Sequence, residues 1–366
     1  MSVVLKRTFI GIGLLSALAG ILFLDYWLET SKVVKELPAG FIFTLLVLFI
    51  ANLTAFEVVK LIRRLQIKIS LVLTLIGINV LILSAFTAAN ILRDSQNYVQ
   101  DTNFSLLKTG SFGDAKVNDD FIQNDMNTRL IEHSDVPTIS EEDFNVVTNR
   151  AIFYTMRNNV LNPVPEYFLM LFAAGFTFFF IILLTVLFAK SGEYHDRVMT
   201  LIMTSFVYFL IATPYALSVL IRSTPFLGVQ IIIFIILVSR MGDSGAFFVG
   251  KAFGRVKAFP NISPKKTIEG CLGGLLTSIG FGLLLANLFN FEPVFHVNNF
   301  ASGAVLGLIV GVTAQIADLL SSLLKRWAQV KDSSNLIPEF GGILDLTDNF
   351  ILTVPVVYIA ILIVWV

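Results

Sequence analysis

One cysteine and three histidines are all that this chain of 366 residues offers to sulfur or imidazole chemistry. Cys271 alone excludes an internal disulfide and any cysteine-rich metal site. His133, His195 and His296 lie far apart in the sequence, which argues against a zinc site built on imidazoles. Charge is scarce too: 14% of residues are charged, where a soluble chain carries about 25%. The formal net charge is zero, so the overall balance points to no charged partner, and no nucleic-acid partner is expected. What remains is apolar, 55% hydrophobic with a mean hydropathy of +0.80. Several runs reach the roughly 20 residues that a helix needs to cross a bilayer. This composition predicts an all-α polytopic membrane protein.

Nine spans are expected, at 8–28, 38–59, 69–92, 165–189, 198–221, 226–248, 270–290, 300–324 and 349–366. The apolar core of the span at 226–248 ends early, at Arg240, and polar residues follow. The first segment is long and lacks a polar exit with a cleavage site, so it reads as a retained helix rather than a signal peptide. With the N-terminus inside, the inner flanks and loops hold 17 of the 26 lysines and arginines and the outer ones 9. That bias supports the orientation. Residues 93–163 differ from the other connections, with 11 acidic against 6 basic residues, a net of −5, and no apolar run long enough to span. Three regions follow: N-terminal transmembrane helices (1–92), a polar extracytoplasmic insertion (93–163) and a C-terminal transmembrane region (164–366).

The eighth span carries a polar stripe. Gln315, Asp318, Ser322 and Lys325 are spaced 3, 4 and 3 residues apart and share one helical face. Asp318 lies roughly 10 Å deeper than Lys325 at 1.5 Å per residue. Placing a carboxylate there costs on the order of 3 kcal/mol, which something must offset. Either Asp318 pairs locally with Lys325, or it serves a metal or an ion path. Asp345 and Asp348, at i and i+3 before the last span, share a face at the start of a helix. They either cap that helix or join Asp318 in an all-carboxylate cluster. Hard oxygen ligands of that kind select Mg²⁺ rather than zinc. Mg²⁺ commonly accompanies phosphate, which Lys325, Arg326 and Lys331 would contact, while Gly341 and Gly342 would let the backbone approach closely.

A second polar island, Ser239 to Gly270, holds Asp243, Lys251, Arg255, Lys257, Lys265, Lys266 and Glu269. Its cations are what a cytoplasmic loop shows anyway; the compact run from Ser263 to Gly270 at a membrane entry is more telling. Gly245 to Lys251 has the spacing of a phosphate-binding P-loop. It is followed by Ala252 rather than Ser or Thr, encloses Phe247 and Phe248, and is rejected.

Taken in order, these blocks resemble the phosphatidate cytidylyltransferases, the CDP-diacylglycerol synthases. The signature comprises Ser322, Leu324, Lys325 and Arg326, then Lys331, Asp332 and Ser334, then Ile337, Pro338, Gly341, Gly342, Ile343, Asp345 and Asp348. Upstream, Asp243 and Ser244 with Ala246, Phe247 and Gly250, the Ser263–Gly270 run, and Gln315 with Asp318 are similar to that family's other blocks. The resemblance is strong over roughly 240–350. Two positions depart from it: Phe340 stands where the family has His, and Leu346 where it has Arg.

The resemblance implies that CTP and phosphatidate react to give CDP-diacylglycerol and pyrophosphate for phospholipid biosynthesis. Asp318, Asp345 and Asp348 would be the metal ligands and, with Lys325, the catalytic residues. Asp243, Ser244, Lys265, Lys266, Glu269, Ser322, Arg326, Lys331, Asp332, Gly341 and Gly342 would bind substrate. Mg²⁺, with a second cation such as K⁺, is the expected cofactor. A homodimer embedded in membrane lipids, in a bacterial inner membrane with its site on the cytoplasmic side, is also expected. Gly303, Gly307 and Gly311 at i+4 spacing permit close helix packing, within one chain or between two. The alternatives are a related CTP-dependent lipid-phosphate transferase, a polyprenol kinase, an ion-coupled transporter using Asp318, and a catalytically inactive scaffold.

Overall fold

The computed structural model of the chain describes residues 3–30, 38, 40–109, 194–223, 227–291, 298–337 and 341–365. Its helices are α1 (Val3–Thr30), α2 (Phe41–Arg64), α3 (Leu71–Thr109), α4 (Tyr194–Arg222), α5 (Gly228–Phe253), α6 (Ile268–Phe289), α7 (Asn299–Trp327) and α8 (Ile343–Trp365). A short antiparallel hairpin, β1 (Lys257–Phe259) with β2 (Ser263–Thr267), separates α5 from α6. The chain divides into two compact units, Met1–Ala89 with Leu171–Val366, and Asn90–Met170. Of the second unit the described part is the C-terminal portion of α3, up to Thr109.

Seven helical stretches, one each in α2 to α8, are long and apolar enough to cross a membrane, and α1 adds the shorter apolar segment Ser16–Leu28. The protein is a multi-pass membrane protein. The expected span at 165–189 and insertion residues 110–163 lie outside the described residues.

The apolar span of α3, Leu71–Asn90, matches the expected 69–92, and the helix itself continues beyond it to Thr109. Two boundaries differ from expectation. Helix α5 continues past Arg240 to Phe253, because Gly242 and Gly245 bring it against Ser278 and Thr277 of α6 and the polar residues stay helical. Helix α8 begins at Ile343 rather than 349, so Asp345 and Asp348 lie in its first two turns. Side-chain caps start α6 and α7. Thr267 Oγ1 accepts from the Gly270 N–H at 3.2 Å to start α6, and Asn298 Oδ1 accepts from Ala301 N–H at 2.8 Å to start α7. Asn290, with φ of 52°, ends α6.

The glycines of α7 face α6 of the same chain. A Cβ on Gly303 would lie 2.7 Å from the Gly282 carbonyl oxygen, and one on Gly307 would lie 2.7 Å from that of Ser278. This stripe therefore serves packing within the protomer. Gly307→Val is expected to lower the melting temperature of the detergent-solubilised protein markedly, since overpacking of this kind costs about 1–3 kcal/mol or more. Gly280→Ala, whose added methyl would meet nothing within 4 Å, should leave it unchanged or raised. Equal melting temperatures for parent and Gly307→Val would contradict the close packing.

Polar ties hold the N-terminal helices in place. Arg222 at the end of α4 donates to Asp25 of α1 at 2.9 and 3.0 Å, and Asp25 also accepts the Phe43 N–H at 3.1 Å, all in the interior. Asn52 of α2 and Asn79 of α3 exchange amide hydrogen bonds of 2.9 Å in both directions. Helix α2 is thus fixed at one end and along its length, and its other end reaches the residues described next.

Candidate active site

Residues from the C-terminal halves of α2 and α7 and the middle of α5 meet the N-terminal end of α8 and the strand β2 that leads into α6, and both polar islands come together there. The connection from α7 to α8 is built first. Gln329, with φ of 56°, reverses the chain after α7, and Ile337 and Gly341 exchange backbone hydrogen bonds of 2.8 and 3.0 Å. Gly341 has φ of 95°, a conformation that favours glycine. A Cβ on Gly342 would collide with Ser333 Oγ and with the Glu57 carboxylate. The close backbone approach expected at the Gly341-Gly342 pair therefore accommodates protein groups.

Asp345 organises this connection. Its Oδ1 accepts from Lys325 Nζ at 2.7 Å, and its Oδ2 accepts from Ser333 N–H, Ser333 Oγ and Gly342 N–H, each at 2.9 Å. Both ends of the Lys325–Asp345 pair are nearly buried. Beside it lies a residue that the sequence reading passed over. Glu57, 1% exposed on α2, accepts from Ser333 Oγ (2.7 Å), Ser334 Oγ (2.6 Å), Ile343 N–H (3.0 Å) and Leu344 N–H (2.9 Å). It supplies the negative charge and acceptors that the first turn of a helix lacks. A lone carboxylate inside an expected span was the available signal.

Asp348 is buried one turn further along α8, and its Oδ1 accepts from the Asn349 N–H at 2.8 Å. Asp318, Arg240 and Lys325 lie within electrostatic reach of it. Asp318 forms a direct ion pair with Lys266 of β2, not with Lys325, and both side chains remain partly accessible. Asp243 on α5 accepts from Asn349 Nδ2 at 2.8 Å and lies 3.6 Å from Arg240 Nη1. The other guanidinium nitrogen, Nη2, donates to the main-chain carbonyl of Leu346. The centre thus holds the acids Asp243, Asp318 and Asp348 among the cations Arg240, Lys266 and Lys325, with Asp345 committed to the loop. Arg240 and Asn349 join it without having been expected.

The remaining expected residues form a rim or hold the frame. Lys265, Lys331, Asp332 and Arg326 are exposed, Arg326 donating weakly to the Ile262 carbonyl at 3.4 Å. Ser322 is half-buried on α7. Ser244 donates to the Arg240 carbonyl of its own helix at 2.9 Å. Both Glu269 carboxylate oxygens accept from Val256 N–H at 3.3 Å, which closes the stem of the hairpin. Gln315 Nε2 donates to the Cys271 carbonyl at 3.0 Å and ties α7 to α6. Phe340 lies outside the described residues, whereas Leu346 is half-buried on α8.

Among the described residues, no three of His, Cys, Asp and Glu converge closely enough as they stand to hold a metal ion. The donor chemistry nonetheless suits a hard cation. Asp318, paired with Lys266, and Asp348, which accepts the Asn349 main-chain N–H, are the acids of the centre held neither by the loop nor by the Asn349 side chain. Beside Asp348, the Asn349 Oδ1 oxygen is buried with no hydrogen-bond partner.

The Cytidylyltransferase family matches residues 132–364. The chain is similar to the phosphatidate cytidylyltransferase of Rickettsia bellii, 34% identical over 186 residues that cover 49% of this chain and 78% of that protein. It is 45% identical over 116 residues to the phosphatidate cytidylyltransferase of Synechocystis sp., covering 32% of this chain and 38% of the relative. With that of Bacillus subtilis it shares 38% identity over 138 residues, 38% of this chain and 49% of the relative. The chain thus spans less than half the length of the last two.

Proposed function

We propose, because this chain belongs to the cytidylyltransferase family, that it transfers the cytidylyl group of CTP to phosphatidate. The observation that carries this reading is the convergence of Asp243, Asp318 and Asp348 with Arg240, Lys266 and Lys325 at one end of the helix bundle. A phosphate oxygen of the lipid attacks the α-phosphorus of CTP. The bond from that phosphorus to the bridging oxygen breaks, and pyrophosphate leaves with the electron pair. The attacking oxygen is already ionised, so no general base is needed, which suits a site with no histidine among its described residues.

The two anions repel each other, and the chain's task is to bring them together. Lys266, partly exposed beside Asp318, is placed to exchange its carboxylate for a phosphate. Lys325 stays with Asp345 and holds the loop that shapes the floor. Lys265, Arg326 and Lys331 on the rim draw the triphosphate in. Asp318 and Asp348 would hold Mg²⁺, with K⁺ as a second cation, which when bound would screen the charge between the phosphates. The site faces the cytoplasm, where CTP is, in a bacterial inner membrane, and the lipid enters sideways between helices with its phosphate near the level of Asp318. A homodimer belongs to the same reading on the family resemblance alone, because the α7 glycines pack within one chain.

The purified protein is expected to form CDP-lipid and release pyrophosphate when given CTP, phosphatidate and Mg²⁺, and to stop when the metal is chelated. Asp318→Asn should fold and be inactive. A parent inert with phosphatidate and with other lipid phosphates would overturn this reading, and turnover undiminished by chelation would remove its metal.

A further inference from the structure

Arg240 sits on α5 where its apolar run ends and the second polar island begins, and nothing in the signature blocks assigns it a role. Its guanidinium reaches α8 between the two acids of that helix: Nη2 donates to the carbonyl of Leu346, which follows Asp345 and precedes Asp348. On its other edge, Nη1 faces Asp243 at 3.6 Å. The three central cations differ in how firmly they are held. Lys325 is paired at 2.7 Å with a side-chain exposure of 11%, and Lys266, directly paired, has 25%. Arg240 has the longest pairing and the greatest exposure, 37%.

A guanidinium carries five N–H donors in a planar fork, and its two contacts here leave part of that fork available. Anchoring to a main-chain carbonyl fixes the plane in advance, so little ordering remains when an anion arrives. The anion that such a fork fits best, bidentate, is a carboxylate or a phosphate. The carboxylate at hand, Asp243, already accepts from Asn349 and meets Arg240 only loosely.

We propose that Arg240 is the phosphate anchor of this site: with one edge held by the Leu346 carbonyl, it gives up its loose contact with Asp243 and takes a phosphate group of a substrate. This rests on the cytidylyl-transfer reading. The shared chemistry is a phosphate, and the two substrates are its two possible sources. A role as a mere staple between α5 and α8 would not need the exposed edge.

The test is steady-state kinetics of parent, Arg240→Gln and Arg240→Lys, with CTP and phosphatidate varied in turn and pyrophosphate added as inhibitor, alongside melting temperatures. Arg240→Gln is expected to raise the KM of one substrate roughly ten- to a hundredfold, with kcat changing less. Arg240→Lys restores only part of the loss, since lysine keeps the charge but not the fork. A raised KM for CTP together with weaker pyrophosphate inhibition assigns the anchor to the nucleotide; a raised KM for phosphatidate alone assigns it to the lipid. If Arg240→Gln does not fold, Arg240→Lys decides by the same shifts. Both KM values within threefold of the parent overturn the proposal while cytidylyl transfer stands. So does a fall in kcat and melting temperature with no selective change in KM. A parent that neither turns over nor is protected against melting by pyrophosphate removes the transfer reading, and the anchor with it.

Discussion

Asp348→Asn is expected to lose turnover by about a hundred- to a thousandfold while melting no lower than the parent, and possession of both effects marks the residue as functional. Asp348 is 5% exposed, yet the hydrogen bond its carboxylate accepts comes from the neighbouring Asn349 N–H. It also stands within reach of a like charge on Asp318. A carboxylate so placed costs stability that one hydrogen bond does not recover. The neutral isostere removes the repulsion and keeps the shape, so stability should hold or rise as activity falls. Asp345→Asn should behave differently. That carboxylate accepts three hydrogen bonds of its own in a nearly buried setting and shares the Ser333 hydroxyl proton with Glu57, and its amide would meet two backbone N–H groups and a lysine with donors of its own. Activity and melting temperature should fall together. Turnover of Asp348→Asn within tenfold of the parent would show that Asp348 does no chemistry.

This contrast between two acids three residues apart marks the limit of what the sequence conveys. Membrane spans are written locally, as apolar runs, and the seven described ones lie where composition places them. The shared face of Asp345 and Asp348 is also local, a consequence of helical spacing. Their different roles are not. Asp345 is occupied by Lys325 and Ser333, brought to it by the reversal after α7, and Asp318 meets Lys266 rather than the lysine on its own stripe. Periodicity cannot choose between two lysines when one arrives from a different polar island. The glycines of α7 show the same limit: their spacing allows close packing, but the partner, α6, is a fact of tertiary structure. The early start of α8 has a similar origin. The acids at 345 and 348 mark the approach to a helix, but where it starts depends on a distant carboxylate that takes up the free N–H groups of Ile343 and Leu344.

That distant carboxylate carries the second large effect. Glu57→Ala is expected to leave the protein in the membrane but to reduce turnover by at least about a hundredfold, because it releases the α7–α8 connection. The substitution strands three donors, since the Ser333 hydroxyl keeps Asp345 Oδ2 as an acceptor. The Ser334 hydroxyl can turn elsewhere, whereas the N–H groups of Ile343 and Leu344 point where the helix has no acceptor of its own. Each stranded buried donor costs about 1–3 kcal/mol, and the favourable charge at the helix N-terminus is lost as well. The connection can escape that cost only by loosening, which displaces Asp345 and with it the turn that carries Asp348. Hydrogen exchange should therefore quicken at Ile343 and Leu344 in Glu57→Ala, while the amides at the middle of α2, held by the helix itself, stay protected. Glu57→Asp, one methylene shorter, cannot span from α2 to both backbone donors and should resemble the alanine variant more than the parent. Glu57→Gln keeps one acceptor oxygen, and its amide can donate to a serine hydroxyl, so its loss should be intermediate. Parent-like exchange at Ile343 and Leu344 in Glu57→Ala would mean that the first turn of α8 holds without its carboxylate, and that the reach of α2 into the site is incidental.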